Sequence, residues 1–211
     1  MKKIETKGIH YIEKLNGSDE WYFGNDYATG DLYEYEEAFL QGAAPQSNRV
    51  ILIKYPEGNL YEPIVLEDGQ YMNSPIFFEN HIYFLCVDFV RKMIQIVAYY
   101  PEKDKSSVEV ELPLSDVRDC YSLMLQTKPL MMVQMSSDTF SIHWPVKKTI
   151  KIGNTEAFMY RDNDKLFFSR WFEDPDYREE IVIRELDSGE IISVEAGAIF
   201  QMPDGQKWHL Q

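Results

Sequence analysis

Several things are scarce in this 211-residue chain, and each scarcity removes a class of function. It has two cysteines, Cys86 and Cys120, 34 positions apart with no CxxC spacing. A disulfide framework and a cysteine-built zinc site are therefore not expected. Cys86 lies within an apolar run and is read as a buried thiol. Basic residues number 21 against 35 acidic ones, for a formal charge of −14. Such a surface repels phosphate backbones and anionic headgroups, so no nucleic-acid or membrane partner is expected. No window holds the 18 or so consecutive apolar residues of a membrane-spanning helix. The opening residues, Met1-Lys2-Lys3-Ile4-Glu5-Thr6, lack the apolar stretch of a secretory signal, which points to a cytoplasmic protein. The four histidines, His10, His81, His143 and His209, are isolated. No metal and no cofactor is expected, since GxSxG, P-loop and GxGxxG patterns are also missing.

Tyr and Phe are plentiful (14 and 12 residues), and with Ile and Val they recur in short runs. These residue types suit pleated, half-buried surfaces. The clearest series starts at Ser74: Ile76-Phe77-Phe78, a turn at Glu79-Asn80, His81 to Val87, Met93 to Tyr100, a turn at 101–104, and the alternating Val108 to Leu112. The same order of four strands appears three more times. One series comprises Ile9–Ile12, Trp21–Phe23, Val50–Tyr55 and Tyr61–Leu66. Another comprises Leu123–Leu125, Leu130–Val133, Phe140–Trp144 and Thr149–Ile152. The last comprises Ala157–Tyr160, Leu166–Trp171, Ile181–Leu186 and Ile191–Val194. Third strands begin near Arg49, Lys92, Thr139 and Glu180, at spacings of 43, 47 and 41 residues.

The expected fold is all-β: repeated four-stranded antiparallel meanders in a single domain over residues 1–211. This pattern resembles β-propeller repeat proteins in general, whose blades recur about every 40–50 residues. No WD, kelch or Asp-box signature narrows it further. Four blades are visible, with two further strands after Val194, so four to five blades are implied, the last one incomplete or the array open. An open β-meander is the structural alternative.

One insertion, residues 24–48, breaks the rhythm. Within it Leu32, Tyr35, Glu36 and Phe39 follow helical spacing, which predicts a helix over Leu32–Leu40. Asp174-Pro175 followed by Tyr177–Ile181 has the opening residues of a helix, but the β-branched Ile181-Val182-Ile183 favours a strand. In a propeller, loops joining second to third strands emerge on one face together with the connections between blades. Two of them are elaborated here, residues 24–48 and 172–179. The candidate ligand-binding residues on and beside them are Trp21, Tyr22, Tyr27, Asp31, Trp171, Glu173, Asp174, Asp176 and Tyr177. Aromatic faces beside carboxylates suit a sugar, a basic peptide or a cation.

No catalytic residue is identified, and the residues favour a non-catalytic binding or scaffold module that recognises a glycan, peptide or protein partner. The alternative is a carbohydrate-active enzyme similar to the five-bladed glycosidases. That resemblance implies a converging carboxylate pair, for which the predicted inner strands offer only Glu156 and Asp88. A third expectation is a homo-oligomer in which a second chain completes the last repeat by strand addition.

Overall fold

In the computed structural model, residues 1–202 and 206–211 are described. They form four antiparallel sheets in strict sequence order, a four-bladed β-propeller arrangement, and one terminal hairpin. Chain contacts divide the structure into two units, residues 1–120 and 121–211. Among the described residues no helix is long and apolar enough to cross a membrane.

The first unit holds two blades. Blade one is β1 (Glu13–Lys14), β2 (Trp21–Asn25), β3 (Val50–Lys54) and β4 (Asn59–Tyr61), with α1 (Leu32–Leu40) in the β2–β3 connection. The helix spans the residues its spacing predicts. Asp31 accepts a hydrogen bond from the Glu34 amide (2.9 Å), and the Glu34 carboxylate accepts one from the Asp31 amide (2.9 Å). This reciprocal cap satisfies two amides that the helix itself cannot.

Blade two is β5 (Gln70–Met72), β6 (Ile76–Phe78), β7 (His81–Asp88), β8 (Met93–Tyr100) and β9 (Lys105–Pro113). Both β5 and β6 pair with β7, so they are one inner strand interrupted at 73–75. Pro75 brings no amide hydrogen to the ladder, which is why sequence reading starts this strand only after the break.

The alternation of β3 organises this unit. Val50 and Leu52 turn one way, into a core shared with Trp21, Phe23, Phe84, Val97 and Tyr99. Ile51 and Ile53 turn the other way, against Ile4 and the buried Ile9. The predicted strand Ile9–Ile12 is thus corrected. The regular pairing is only Glu13–Lys14, and residues before it lie across the sheet face rather than along its edge. Gly24 permits this crossing: a Cβ there would come within 2.7 Å of Ile9 Cγ2 and 2.9 Å of the Tyr11 carbonyl.

The second unit also holds two blades. Blade three is β10 (Met124–Gln126), β11 (Met131–Met135), β12 (Thr139–Trp144) and β13 (Lys148–Lys151). Blade four is β14 (Glu156–Asp162), β15 (Lys165–Phe172), β16 (Arg178–Glu185) and β17 (Ile191–Ala196). The strand reading of Ile181–Ile183 holds. Between these blades lies a core of Met131, Val133, Phe140, Ile150, Phe168 and Val182, with Phe140 and Phe158 stacked at 4.4 Å. A buried ion pair fastens blade four, with Arg184 Nε and Nη2 reaching the two Glu156 oxygens at 2.9 and 2.8 Å.

After Gly197 the chain forms the hairpin β18 (Ala198–Gln201) and β19 (Lys207–Leu210), and no further strand follows among the described residues. The register pairs Ala198 with Leu210 and Phe200 with Trp208, so these side chains share one face. Phe200, Trp208 and Leu210 are each at least half exposed.

Candidate binding site

The insertion of the first unit is a braced structural element. Asn48 donates to Asn25 Oδ1 (3.0 Å) and the Met72 carbonyl (2.7 Å), and it accepts from the Met72 amide (2.9 Å). The fully buried Tyr35 packs on Tyr71 and Phe89, with centroids 5.2 and 5.5 Å apart. Tyr71 donates to the Gly30 carbonyl (2.8 Å), and burial pushes its hydroxyl well above the usual tyrosine range.

Against this background the four candidate residues of the first loop separate. Trp21 is 4 % exposed and packs on Tyr61, so it is a core side chain and corrected as a stacking surface. Its polar neighbour is Lys54, whose ammonium sits 5.7 Å from the ring centroid. Tyr22 is half-buried on the opposite face of β2, in edge contact with Tyr55. The Asp31 carboxylate caps α1. Tyr27 is the one ring of this set that faces solvent, at 41 % exposure.

The second loop differs. Trp171 pairs with Glu179 across β15–β16, and Phe172 pairs with Arg178. Side chains alternate along a strand, so Trp171, Tyr177 and Glu179 share one face while Arg170, Phe172, Arg178 and Glu180 share the other. On that other face the Arg178 guanidinium lies 4.2 Å and the Arg170 guanidinium 5.4 Å from the Phe172 centroid. Arg170 also donates twice to Glu180, at 3.1 and 2.5 Å.

On the first face Trp171 is 46 % and Tyr177 67 % exposed, and the Tyr177 hydroxyl donates to the Glu179 carboxylate. That hydrogen bond raises the pKa of Tyr177. Among the described residues no cation of the chain pairs with Glu179. Glu173, Asp174 and Asp176 surround the tip, all exposed. Glu179 is the residue that sequence reading left out of the set. Its place opposite Trp171 is a matter of register, which a loop's composition does not disclose.

No family model matches the chain, and no curated protein matches it. Solved structures similar to it include one from a structural and mechanistic study of two prolyl endopeptidases, 11% identical with a TM-score of 0.48. Another is prolyl oligopeptidase B from Galerina marginata, 8% identical with a TM-score of 0.40. A bifunctional GH43-CE protein of Bacteroides eggerthii is 11% identical with a TM-score of 0.42. The similarity covers 93%, 92% and 94% of this chain and 30%, 29% and 30% of those chains respectively. The chain thus spans less than a third of the length of each. With TM-scores under 0.5, none of these likenesses bears on what this chain does.

The two carboxylates that a hydrolase would draw on are both engaged. Glu156 is held by Arg184 on both oxygens. Asp88, 5 % exposed, accepts from the Arg91 amide (2.7 Å) and from Gln70 (2.8 Å).

Proposed function

We propose that the protein is a non-catalytic binding module that takes a basic peptide or protein segment on the tip of β15–β16. One observation carries this reading: the inner face of that tip already holds guanidinium groups by an aromatic ring and a carboxylate, Phe172 and Glu180. The outer face presents the same chemistry, Trp171 and Tyr177 beside Glu179, to solvent. An arginine or lysine brought there gains a ring face and a carboxylate together. The exposed Glu173, Asp174 and Asp176 and the net charge of −14 favour the approach of a basic partner.

The test is calorimetric titration with arginine- and lysine-containing dodecapeptides and, separately, with neutral oligosaccharides. Basic peptides are expected to bind more weakly as salt rises, and Trp171→Ala to lose about tenfold in affinity or more, a ΔΔG of about 1.4 kcal/mol. Binding of oligosaccharides without binding of basic peptides moves the assignment to a glycan. Peptide binding that Trp171→Ala and Tyr177→Ala leave intact removes the site.

A further inference from the structure

Blade four has a second face, turned away from the core it shares with blade three. Tyr160, Phe167, Ile181, Ile183 and Glu195 lie on it, and the register confirms their common side: Phe167 pairs with Ile183, and Ile181 with Glu195. Tyr160 belongs there only because of a β-bulge. Phe158 pairs with Phe168, yet Tyr160, two positions later, pairs with Phe167 rather than with Leu166. In a regular strand residues 158 and 160 would point the same way, into the core. The extra residue, Met159, turns Tyr160 to the opposite face, where its ring stacks on Phe167 with centroids 4.4 Å apart and planes at 9°. Bulges that re-aim one side chain are concentrated next to functional sites.

The β18–β19 hairpin covers this face without filling it. Ile199, Lys207 and His209 from the hairpin's inner side, with Trp208 at the rim, close a cavity of about 220 Å³ over the Tyr160–Phe167 pair. Gly197 sets the close approach of the hairpin to the strand before it. Its φ is +112°, and a Cβ there would lie 2.0 Å from the Leu210 carbonyl oxygen. His209 Nε2 is 2.8 Å from the Ala196 carbonyl, so this nitrogen is the donor, and Nδ1 lies 3.6 Å from Glu195. Glu195, half exposed, stands at the rim.

Lys207 is the unusual member. Its ammonium sits 5.0 Å from the Tyr160 centroid. Among the described residues no carboxylate pairs with it. Burial, with the charge of nearby Lys128, holds its pKa below the ordinary lysine range. A half-buried cation resting on a ring, with no carboxylate paired to it among the described residues, is arranged to accept an anion. The remaining walls, Phe167, Ile181, Ile183 and Ile199, are hydrocarbon.

We propose that this cavity binds a small aromatic or branched aliphatic carboxylate, with its carboxylate on Lys207 and its apolar body against Phe167 and the three isoleucines. The volume lies below the range of about 300–1,000 Å³ typical of drug-sized ligands, which limits the occupant to roughly the size of a single ring with a short acid arm. Nothing in this assignment depends on the β15–β16 tip.

The experiment is NMR of the full chain labelled at isoleucine δ1 methyls, titrated with phenylacetate and, in parallel, with its neutral isostere phenylacetamide. Phenylacetate is expected to shift the Ile181, Ile183 and Ile199 methyls, and phenylacetamide to bind about tenfold more weakly or less. Lys207→Met is expected to reduce phenylacetate to the level of the amide while the ligand-free thermal midpoint stays in place. The acid-to-amide ratio on the unaltered protein decides the point even if that variant misfolds. Equal affinity for acid and amide overturns the anion assignment. Absence of shifts at these three methyls with either probe, up to about 10 mM, overturns the site, because weaker binding contributes under about 3 kcal/mol.

Discussion

The two units face one problem and meet it differently. In each, an end blade has a second apolar face that its neighbouring blade leaves uncovered. The first unit lays an irregular segment across that face: Ile4 and Ile9 pack against Ile51 and Ile53, and Lys7 and Arg49 clamp Glu62 beside them. The second unit folds a regular hairpin over the face and leaves a cavity of about 220 Å³ beneath it. Their buried polar fastenings differ as well. The first unit is tied by neutral amides, Asn48 on Asn25 and the Met72 backbone, and by buried carboxylates that accept from amides, Glu36 and Asp88; only the second has a desolvated ion pair among its described residues, Arg184 on Glu156. The amino-terminal segment sets its isoleucines directly on β3, whereas the hairpin stands off blade four and leaves room for a ligand. The first unit has its own cavity of about 210 Å³ elsewhere, beside Leu66, Cys86 and Val97.

The largest expected effect is on the fastenings. Glu156→Ala leaves Arg184 buried without its carboxylate and is expected to cost about 3–5 kcal/mol, read from urea unfolding. Asn48→Ala, which frees a buried amide and carbonyl of Met72, is expected to cost less, about 1–3 kcal/mol. Equal losses would erase this part of the comparison.

The covers come next. Ile9→Ala opens a packed contact and is expected to cost about 2–4 kcal/mol, while Ile199→Ala, which enlarges a space already open, is expected to cost about 1 kcal/mol or less. A larger loss at Ile199 would mean that the hairpin seals its face as tightly as the amino-terminal segment does.

The smallest effect is a pH dependence confined to the first cover. Hydrogen bonds from Arg49 and Lys7 hold the Glu62 carboxyl below the usual carboxylate range. Its contribution is therefore present above the unfolded glutamate pKa and is lost as pH falls through the lower folded value. With Lys7 largely solvated, the amount is about 0.2–1 kcal/mol. Glu62→Gln is expected to flatten acid unfolding of the wild-type protein by that amount.

Much of the fold was legible in the sequence. The helix announced itself through its 3-4 spacing, and the meanders through alternation between turns. The strand over Ile9–Ile12 was misread because one buried isoleucine leaves the same trace whether its segment pairs at an edge or crosses a face. Trp21 was misread for a related reason: alternation with Phe23 places it inward, but its closeness to a long loop drew it outward. In the second loop the aromatic and acidic residues were legible as a set, though which of them share a side depends on the pairing of Trp171 with Glu179. The cavity under the hairpin was not legible at all. Its key turn is made at Met159, a residue with none of the backbone freedom that marks glycine bulges.

That bulge acts as a change of phase. Every residue of β14 after Met159 reads its inside and outside in the opposite sense to those before it, so one strand carries two messages joined at a single position. Straightening the ladder with Met159 kept in it would set Met159 opposite Phe167 and Tyr160 opposite Leu166. Tyr160 would then turn into the core and Arg161 to the outer face, exchanging a ring for a charge on the floor of the pocket.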